Sequence, residues 1–193
     1  MTKPSVNFTP GMWPPTRIAP VLATLCILAM HLATDCFASE PAEFQSLQEI
    51  RQQGVVMQEW ENSCSAASLA TVLTYGFHDP VSEQQIALDM LANTSPEKVR
   101  SRGGFSMLDM KNYVIRRGYK AEVFQDLSLE QLSVLTAPIV IIENMGVPHF
   151  VVFDRISQGT VFVADPAFGN RQIASDVFQR LWSRGIALWI SKK

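Results

Sequence analysis

Apolar residues after position 60 recur at the period of an α-helix. Four of them lie three or four positions apart, at Ala66, Leu69, Ala70 and Leu73. This spacing places them on one helical face. Asn62 or Ser63 can cap the start, since a short polar side chain there accepts a hydrogen bond from an unpaired backbone N–H. Gly76 can end the helix in the left-handed conformation. The pattern therefore predicts a helix that begins close to Cys64.

The remaining pattern changes character near Gly118. Before it, Ser82 with Gln85 and Ser106 with Asp109 have the spacing of capping boxes, in which a Ser side chain and an acidic or amide side chain bond to each other's backbone N–H. The predicted helices are 86–91, 106–117 and two capped helices, 128–135 and 175–182, after a short helix or extended arm at 44–53. The predicted strands are 55–58, 119–125, 139–143, 150–156, 160–164 and 186–190.

Helices dominate the first half of this list and strands the second half. A βαβ repeat would instead alternate the two types along the chain. The order predicts an α+β fold, with an N-terminal helical half and a C-terminal antiparallel sheet. The expected domain covers residues 39–193, which is enough chain to bury a core without disulfides.

The first 38 residues have the composition of a secretory signal peptide. Lys3 and Arg17 precede an uncharged apolar run over 18–33, and cleavage after Ala38 leaves small residues at the two positions that a signal peptidase inspects. Lipidation of Cys36 is disfavoured because Asp35 precedes it. An uncleaved membrane anchor is the alternative, since the run approaches the length that spans a bilayer. The protein is therefore expected in the periplasm or cell envelope, either released or anchored to the inner membrane.

Composition and charge exclude several functional classes. Hydrophobic residues make up 47% of the chain and the formal net charge is −2. Basic residues are spread singly, without the Lys/Arg clusters that bind nucleic acid. The sequence contains no Gly-rich phosphate loop and no paired-cysteine metal motif. We expect no nucleic-acid partner and no metal or organic cofactor.

Cys64 is the only cysteine after the signal segment, so the exported domain can form no internal disulfide. A free cysteine is often a small buried hydrophobic residue. Its position in the first turn of a predicted helix favours a second interpretation, because unpaired N–H groups and the helix dipole stabilise a thiolate over a thiol. A nucleophilic thiolate also requires a histidine partner.

His149 and Asp165 are the candidates for that partnership. His149 opens one predicted strand and Asp165 closes the next. If the two strands form a hairpin that turns at 157–159, the two residues lie opposite each other to within about one pair. A carboxylate beside one ring nitrogen fixes the tautomer and leaves the other nitrogen for the thiol. Asn144 and Asp154 are rival orienting residues, although Asn144 precedes His149 and Asp154 lies on the same strand as His149.

Gln58 is the candidate oxyanion donor. Its side-chain N–H can point to the place where negative charge develops on the substrate carbonyl, and the backbone N–H of Cys64 can supply a second donor. Taken alone, Gln58 is as well explained as a surface amide. His78, near Asp79 and Pro80, is better explained as part of a solvated turn, and Asp165 before Pro166 can also simply begin a turn.

The order of these residues resembles papain-like cysteine peptidases, and more closely the double-glycine, bacteriocin-processing peptidase domains. The similar segments are Gln58 to Cys64, Gly104-Phe105-Ser106, Pro148-His149-Phe150-Val151-Val152 and Asp165-Pro166-Ala167-Phe168-Gly169. The resemblance covers roughly residues 55–190. It implies a papain-like fold, a catalytic Cys64, His149 and Asp165 triad with Gln58 as oxyanion donor, and cleavage of a peptide or protein after small residues.

This chain departs from the family in its context. The best-known members are fused to the membrane and nucleotide-binding domains of an ABC exporter, whereas this sequence is expected to carry its own export signal. The exporter role and the substrate therefore do not transfer, although a secretion-system partner is compatible with the resemblance. Two alternatives stay open: a papain-like acyltransferase or transglutaminase-like enzyme, and a catalytically idle binding module in envelope or secretion assembly. Gly103-Gly104 is more simply a flexible helix entry than a self-cleavage site.

Overall fold

The structure is a computed structural model that describes residues 45–144 and 146–193, apart from the side chain of Asn144. The predicted signal or anchor segment 1–38 lies outside the described residues. Residues Gln45–Lys193 form one compact unit. None of the helices in this described part combines the length and the apolar character needed to cross a bilayer.

Seven α-helices lie in the described part of the chain, most of them before residue 120. They are α1 (Leu47–Gln52), α2 (Cys64–Thr71), α3 (Glu83–Ala92), α4 (Pro96–Arg102), α5 (Met107–Arg116), α6 (Leu129–Ser133) and α7 (Ser175–Leu181). Every residue of α2 is buried, so this helix forms the centre of the helical half. Helix α4 was not predicted, because its sequence is mostly polar and has no apolar period.

The predicted helix starts at Ser82, Ser106 and Ser128 are found, and each serine side chain accepts the N–H bond expected of a cap. The full capping box forms at Ser106 and Ser128. At Ser82 only the serine half of the box is present. The expected cap at the start of 175–182 is wrong, since Ala174 precedes α7 there.

The two ends of α2 differ from the prediction. Ser63 precedes the helix but makes no capping bond; its hydroxyl instead donates to the Trp60 carbonyl at 2.6 Å. At the other end the helix widens into a π-helical turn, Val72–Gly76. The residue with positive φ at this end is His78, not Gly76. The helical segment ends later than predicted, with a hydrogen bond from the Asp79 N–H to the Leu73 carbonyl at 2.9 Å.

Six antiparallel strands form one sheet in the order β1-β6-β2-β3-β4-β5. They are β1 (Lys120–Phe124), β2 (Ile139–Asn144), β3 (Val147–Ser157), β4 (Thr160–Asp165), β5 (Gly169–Ala174) and β6 (Ala187–Ser191). Both faces of the central strand β3 are buried: Phe150 and Val152 join the core around α2, whereas Val151 and Phe153 join a second core around α6 and α7. The predicted α+β class and antiparallel sheet are confirmed.

Two strand predictions need correction. Residues 55–58 do not form a strand, because their N–H groups bond elsewhere: that of Val56 to the Thr71 hydroxyl and that of Gln58 to the Pro166 carbonyl, both at 2.9 Å. Strand β5 was not predicted. Buried and exposed residues do not alternate regularly along it, since only Gly169 and Ile173 are buried.

The pairing of β3 with β4 contains a bulge at Asp154. Near the turn, Arg155 pairs with Phe162, but beyond Asp154 it is Phe153 that pairs with Val163. Asp154 therefore has no partner in the ladder. A bulge of this kind shifts the register by one residue and changes which side chains share a face.

Candidate active site

Cys64 is the first residue of α2. It is a free thiol, 8% exposed, and the sole cysteine among residues 45–144 and 146–193. The chain reaches it through a tight turn in which Asn62 has φ 66°. This geometry places Cys64 in the first helical turn, as the sequence predicted, where the backbone N–H groups have no partner within the helix.

His149 and Asp165 are brought together by β3 and β4. The His149 Nε2 atom lies 2.7 Å from the Asp165 Oδ1 atom. The Asp165 side chain is fully buried and that of His149 is 13% exposed. Because Nε2 is bonded to the carboxylate, Nδ1 is the ring nitrogen that is available to another group.

The environment favours a charged pair. Burial lowers the pKa of His149, but hydrogen bonding with Asp165 and with Cys64, together with their negative charges, raises the pKa to about 9. Burial also opposes ionisation of Asp165, yet hydrogen bonds from His149, from Arg171 and from the Ala167 N–H keep its pKa below the ordinary value. At neutral pH the structure therefore favours an imidazolium beside a carboxylate.

Gln58 lies in the segment that leads to Cys64. Its Nε2 atom donates to the Trp60 carbonyl at 3.1 Å. Its Oε1 atom is buried without a hydrogen-bond partner. One Nε2 hydrogen is thus committed to the local turn and the second is available, so the amide orientation is set by the turn itself.

The segment that carries Gln58 is fastened to the turn that carries Asp165. The backbone N–H of Gln58 bonds to the Pro166 carbonyl at 2.9 Å, and the Asn170 side chain bonds to the Gln53 carbonyl at 2.8 Å. The Arg51 carbonyl lies so close to Gly169 that a Cβ atom there would be 2.5 Å from its oxygen. These contacts fix the two predicted site segments relative to each other.

Glu83, in the first turn of α3, holds the same segment through a backbone hydrogen bond. Its Oε2 atom accepts a hydrogen bond from the Glu59 N–H at 3.0 Å. Glu83 is 4% exposed and its Oε1 atom has no partner. Sequence reasoning missed this residue, because a Glu after a capping Ser is ordinarily a solvated first-turn residue.

Arg171 was also missed. Its Nη1 atom donates to the Asp165 Oδ2 atom at 2.7 Å. The side chain is 33% exposed and lies over the Phe168 ring at 5.2 Å. Arg171 belongs to the unpredicted strand β5, and nothing in the sequence spacing marks it as a neighbour of Asp165.

A cleft of about 400 Å³ opens at Cys64 between the helical half and the sheet. Its apolar walls include Phe105, Met107, Ile141 and Phe150, and its rim includes Gly103 and Gly104. Gly103 ends α4 in the left-handed conformation. At Gly104 a Cβ atom would lie 2.8 Å from the Asn62 carbonyl oxygen. The glycines thus have the structural role expected of them at the helix entry.

Two of the other candidate residues, His78 and Asp154, do not join the site. His78 lies in the turn after α2 with φ 56°, and Asp154 is exposed and paired with Arg155. The side chain of Asn144 lies outside the described part. Across residues 45–144 and 146–193, no group of three or more His, Cys, Asp or Glu side chains could hold a metal ion.

Two curated relatives match most of the chain. The probable functional amyloid protease FapD of Pseudomonas aeruginosa is 41% identical over 142 residues, which cover 73% of this chain and 62% of that protein, less than two thirds of its length. FapD of Pseudomonas fluorescens is 34% identical over 173 residues, which cover 83% of this chain and 76% of that protein.

Solved structures share the fold. A double glycine motif protease from an AMS/PCAT transporter, solved in complex with the leader peptide, has a TM-score of 0.58 and 28% identity and covers 72% of this chain and 91% of that chain. The peptidase domain of Streptococcus ComA has a TM-score of 0.60 at 18% identity, covers 72% of this chain and 98% of that chain, and supports the fold alone. The predicted papain-like fold and the predicted resemblance are confirmed.

Residues 52–193 match the profile described as the Peptidase C39 family. This match spans most of the sequence and includes the cleft, the Cys64 helix and the His149 and Asp165 strands. The chain therefore belongs to the Peptidase C39 family.

Proposed function

We propose that this chain is a cysteine peptidase in which Cys64 is the nucleophile, His149 the general acid and base, Asp165 the residue that orients His149, and Gln58 an oxyanion donor. The observation that carries the proposal is the 2.7 Å contact of His149 with the fully buried Asp165. An exposed His–Asp pair is common on protein surfaces, whereas burial of this one beside a helix-terminal thiol is typical of a nucleophile–base arrangement.

The reaction begins with the thiolate of Cys64 and the imidazolium of His149. The thiolate attacks the carbonyl carbon of the scissile peptide and forms a tetrahedral oxyanion. His149 then gives its proton to the leaving amine, the C–N bond breaks, and an acyl-enzyme thioester remains. A water molecule, deprotonated by His149, attacks the thioester. The acid product leaves, and the Cys64–His149 ion pair is restored.

The oxyanion is stabilised by two donors in this proposal. The first is the backbone N–H of Cys64, which at the first helical position has no partner one turn earlier. The second is the Nε2 hydrogen of Gln58 that is not used by Trp60. The bonds from Gln58 to Pro166 and from Glu59 to Glu83 support this role, because an oxyanion donor works only when its position is fixed before reaction.

We propose that the substrate is a peptide or protein cut after small residues. The rim at Gly103 and Gly104 supports this, since backbone approaches the cleft there without side chains. The names of the relatives support a substrate within a functional amyloid system. The double glycine motif protease, solved with a leader peptide, supports cleavage next to glycine.

The proposed location is the cell envelope, with export directed by residues 1–38 and with a secretion-system partner. The proposed chemistry uses only groups of the polypeptide and water, so it requires no cofactor. Cys64, His149 and Asp165 would also serve a papain-like acyltransferase. An amine acceptor added to the reaction would then capture the acyl group in place of water.

The test compares the wild-type chain with Cys64→Ala and Cys64→Ser. Each protein is incubated with a library of peptides that carry Gly-Gly or Ala-Gly sites, and the products are identified by mass spectrometry. We expect cleavage by the wild type alone, with unchanged thermal unfolding of the variants. Full activity of Cys64→Ala would overturn the assignment. An idle binding module is indicated if the wild type cleaves no peptide and Cys64 alkylates with the pH dependence of an ordinary thiol.

A further inference from the structure

We propose that Arg171 is a positioning residue for the triad: it holds Asp165 as a buried anion in the one orientation that aligns His149. The inference rests on the proposed function and assigns a further residue to the same site. Its basis is the 2.7 Å bond from the Arg171 Nη1 atom to the Asp165 Oδ2 atom, together with the complete burial of that carboxylate.

The two carboxylate oxygens have separate partners. Oδ1 accepts from the Ala167 N–H at 2.9 Å and contacts His149 Nε2 at 2.7 Å. Oδ2 contacts Arg171. A carboxylate bonded on one oxygen alone can rotate about its Cβ–Cγ bond. With both oxygens engaged, rotation would break a charge-assisted hydrogen bond on either side.

The catalytic cycle makes the second cation necessary. While His149 is an imidazolium, it neutralises Asp165 directly. After His149 has given its proton to the leaving amine, Asp165 would be a buried anion beside a neutral ring, which is a costly state. A guanidinium is a permanent cation in proteins, so Arg171 balances the charge of Asp165 both before and after His149 gives up its proton. It also weakens the attraction of the carboxylate for the imidazole proton.

Arg171 is itself held in place. It pairs with Val163 in the β4–β5 ladder, so the side chains of Arg171 and Val163 lie on the same face of the sheet. Asp165 is two positions after Val163 on β4 and therefore shares that face with Arg171. The guanidinium also lies over the Phe168 ring at 5.2 Å. Two strands and one aromatic ring thus direct it toward Oδ2.

The charged and titratable groups around His149 come from three elements. They are Cys64 on α2, Asp165 on β4 and, through Asp165, Arg171 on β5. On β2 the residue paired with His149 is the uncharged Ile142. Asp154 and Arg155 line the same surface cavity as Arg171 but pair with each other. Within the described part, Arg171 is therefore the one arginine or lysine that contacts the Asp165 carboxylate, beside His149.

The experiment compares Arg171→Met and Arg171→Lys with Arg155→Met as the matched control. Arg155 is a strand arginine in the same cavity, and its loss changes the net charge equally. For Arg171→Met we expect kcat to fall by roughly tenfold, the size typical of couplings within a charged network, with KM nearly unchanged. Arg171→Lys keeps part of kcat, because the positive charge is retained but the planar guanidinium with its fixed N–H donors is lost. Arg155→Met behaves as the wild type.

A purely structural role is separated from positioning by the pH profile. Removal of a cation close to His149 favours the imidazolium, so the alkaline limb of kcat moves to higher pH in Arg171→Met and stays near the wild-type value in Arg171→Lys. In an Asp165→Asn background, Arg171→Met has little further effect. The inference is overturned if Arg171→Met has the wild-type kcat and pH profile. It is also overturned if the profile is unshifted and the losses of kcat from Asp165→Asn and Arg171→Met are additive in the double variant.

A second readout keeps this test separate from the proposed function. The rate of Cys64 alkylation by iodoacetamide is measured against pH in the same variants, which needs no peptide substrate. If the wild type cleaves nothing yet Arg171→Met shifts the alkylation profile, the peptidase proposal fails and the positioning inference stands. If the wild type cleaves peptides and neither profile moves, the positioning inference alone fails.

Discussion

His149 and Asp165 share one face of the sheet because of the bulge at Asp154. Without it, the pairing of Arg155 with Phe162 would continue regularly and place Asp165 opposite Val152. With it, Val152 pairs with Ala164, so Asp165 falls level with Val151, which has the same orientation as His149. One unpaired residue therefore decides whether imidazole and carboxylate can meet.

Insertion of one Ser between Val151 and Val152 tests this relationship. The added residue takes the place of Val151 opposite Asp165, so His149 turns to the other face of the sheet. We expect peptidase activity to fall to the level of Cys64→Ala. Deletion of Asp154 is the control, because it removes the unpaired residue but leaves Phe153 paired with Val163 and Arg155 paired with Phe162, so His149 and Asp165 keep a common face and activity is retained. Wild-type cleavage rates in the insertion variant would contradict the relationship.

The pH dependence follows from the raised pKa of His149. The pKa is about 9 in the folded protein, above the ordinary 6.5. The folded state therefore binds this proton more tightly, and the resulting stabilisation is complete below about pH 6.5 and lost as the pH rises through about 9. We expect the alkaline limb of kcat/KM near pH 9, measured with a peptide whose own groups do not titrate there.

Asp165→Asn moves the alkaline limb to lower pH, because the carboxylate that favours the imidazolium is gone. Asp176→Asn is the control, since Asp176 is exposed on α7 and paired with Arg180. The interpretation fails if the limb of Asp165→Asn coincides with that of the wild type.

Gln58→Ala removes the proposed side-chain oxyanion donor. We expect kcat to fall by about 10²-fold or more, the loss usual for one such donor, with a small change in KM. Gln53→Ala is the control, because Gln53 is exposed in the same segment and bonds only to Gln45 through its side chain. A Gln58→Ala variant with the wild-type kcat would show that oxyanion stabilisation comes from elsewhere.

Gly169→Ala tests whether contact between the Gln58 segment and the Asp165 turn matters. Gly169 has φ 79°, and the added Cβ atom would lie 2.5 Å from the Arg51 carbonyl oxygen. Gly159→Ala is the matched control, since Gly159 has φ 74° and open space around it. We expect the control to lose about 1 kcal/mol of unfolding free energy from left-handed strain.

Gly169→Ala is expected to lose about 1 to 3 kcal/mol more, because the backbone must shift to remove the overlap. Its kcat falls as well, since the displaced segment leads directly to Gln58. Chemical denaturation and single-turnover cleavage measure the two effects. Equal stability losses in the two alanine variants would show that the close approach of Gly169 and Arg51 can relax without cost.

The amino-acid sequence alone determined the α+β class, the helix that begins at Cys64, the capped helices at Ser106 and Ser128, and the choice of His149 and Asp165 as candidates. These conclusions depend on local period, on capping chemistry and on residue type, which are encoded within a few positions of each other. The sequence also placed strands 119–125 and 139–143 close to β1 and β2.

The tertiary structure decided the relationships between distant segments. The bulge at Asp154, the strand β5 with Arg171, the bond of Glu83 to the Glu59 N–H, and the attachment of 51–58 to the Asp165 turn all depend on contacts between residues far apart in the chain. Local propensity carries no signal for such contacts, because an unpaired strand residue or a buried carboxylate is stabilised by its neighbours in space. The sequence supplied the chemically active groups, and long-range packing determined which of them meet.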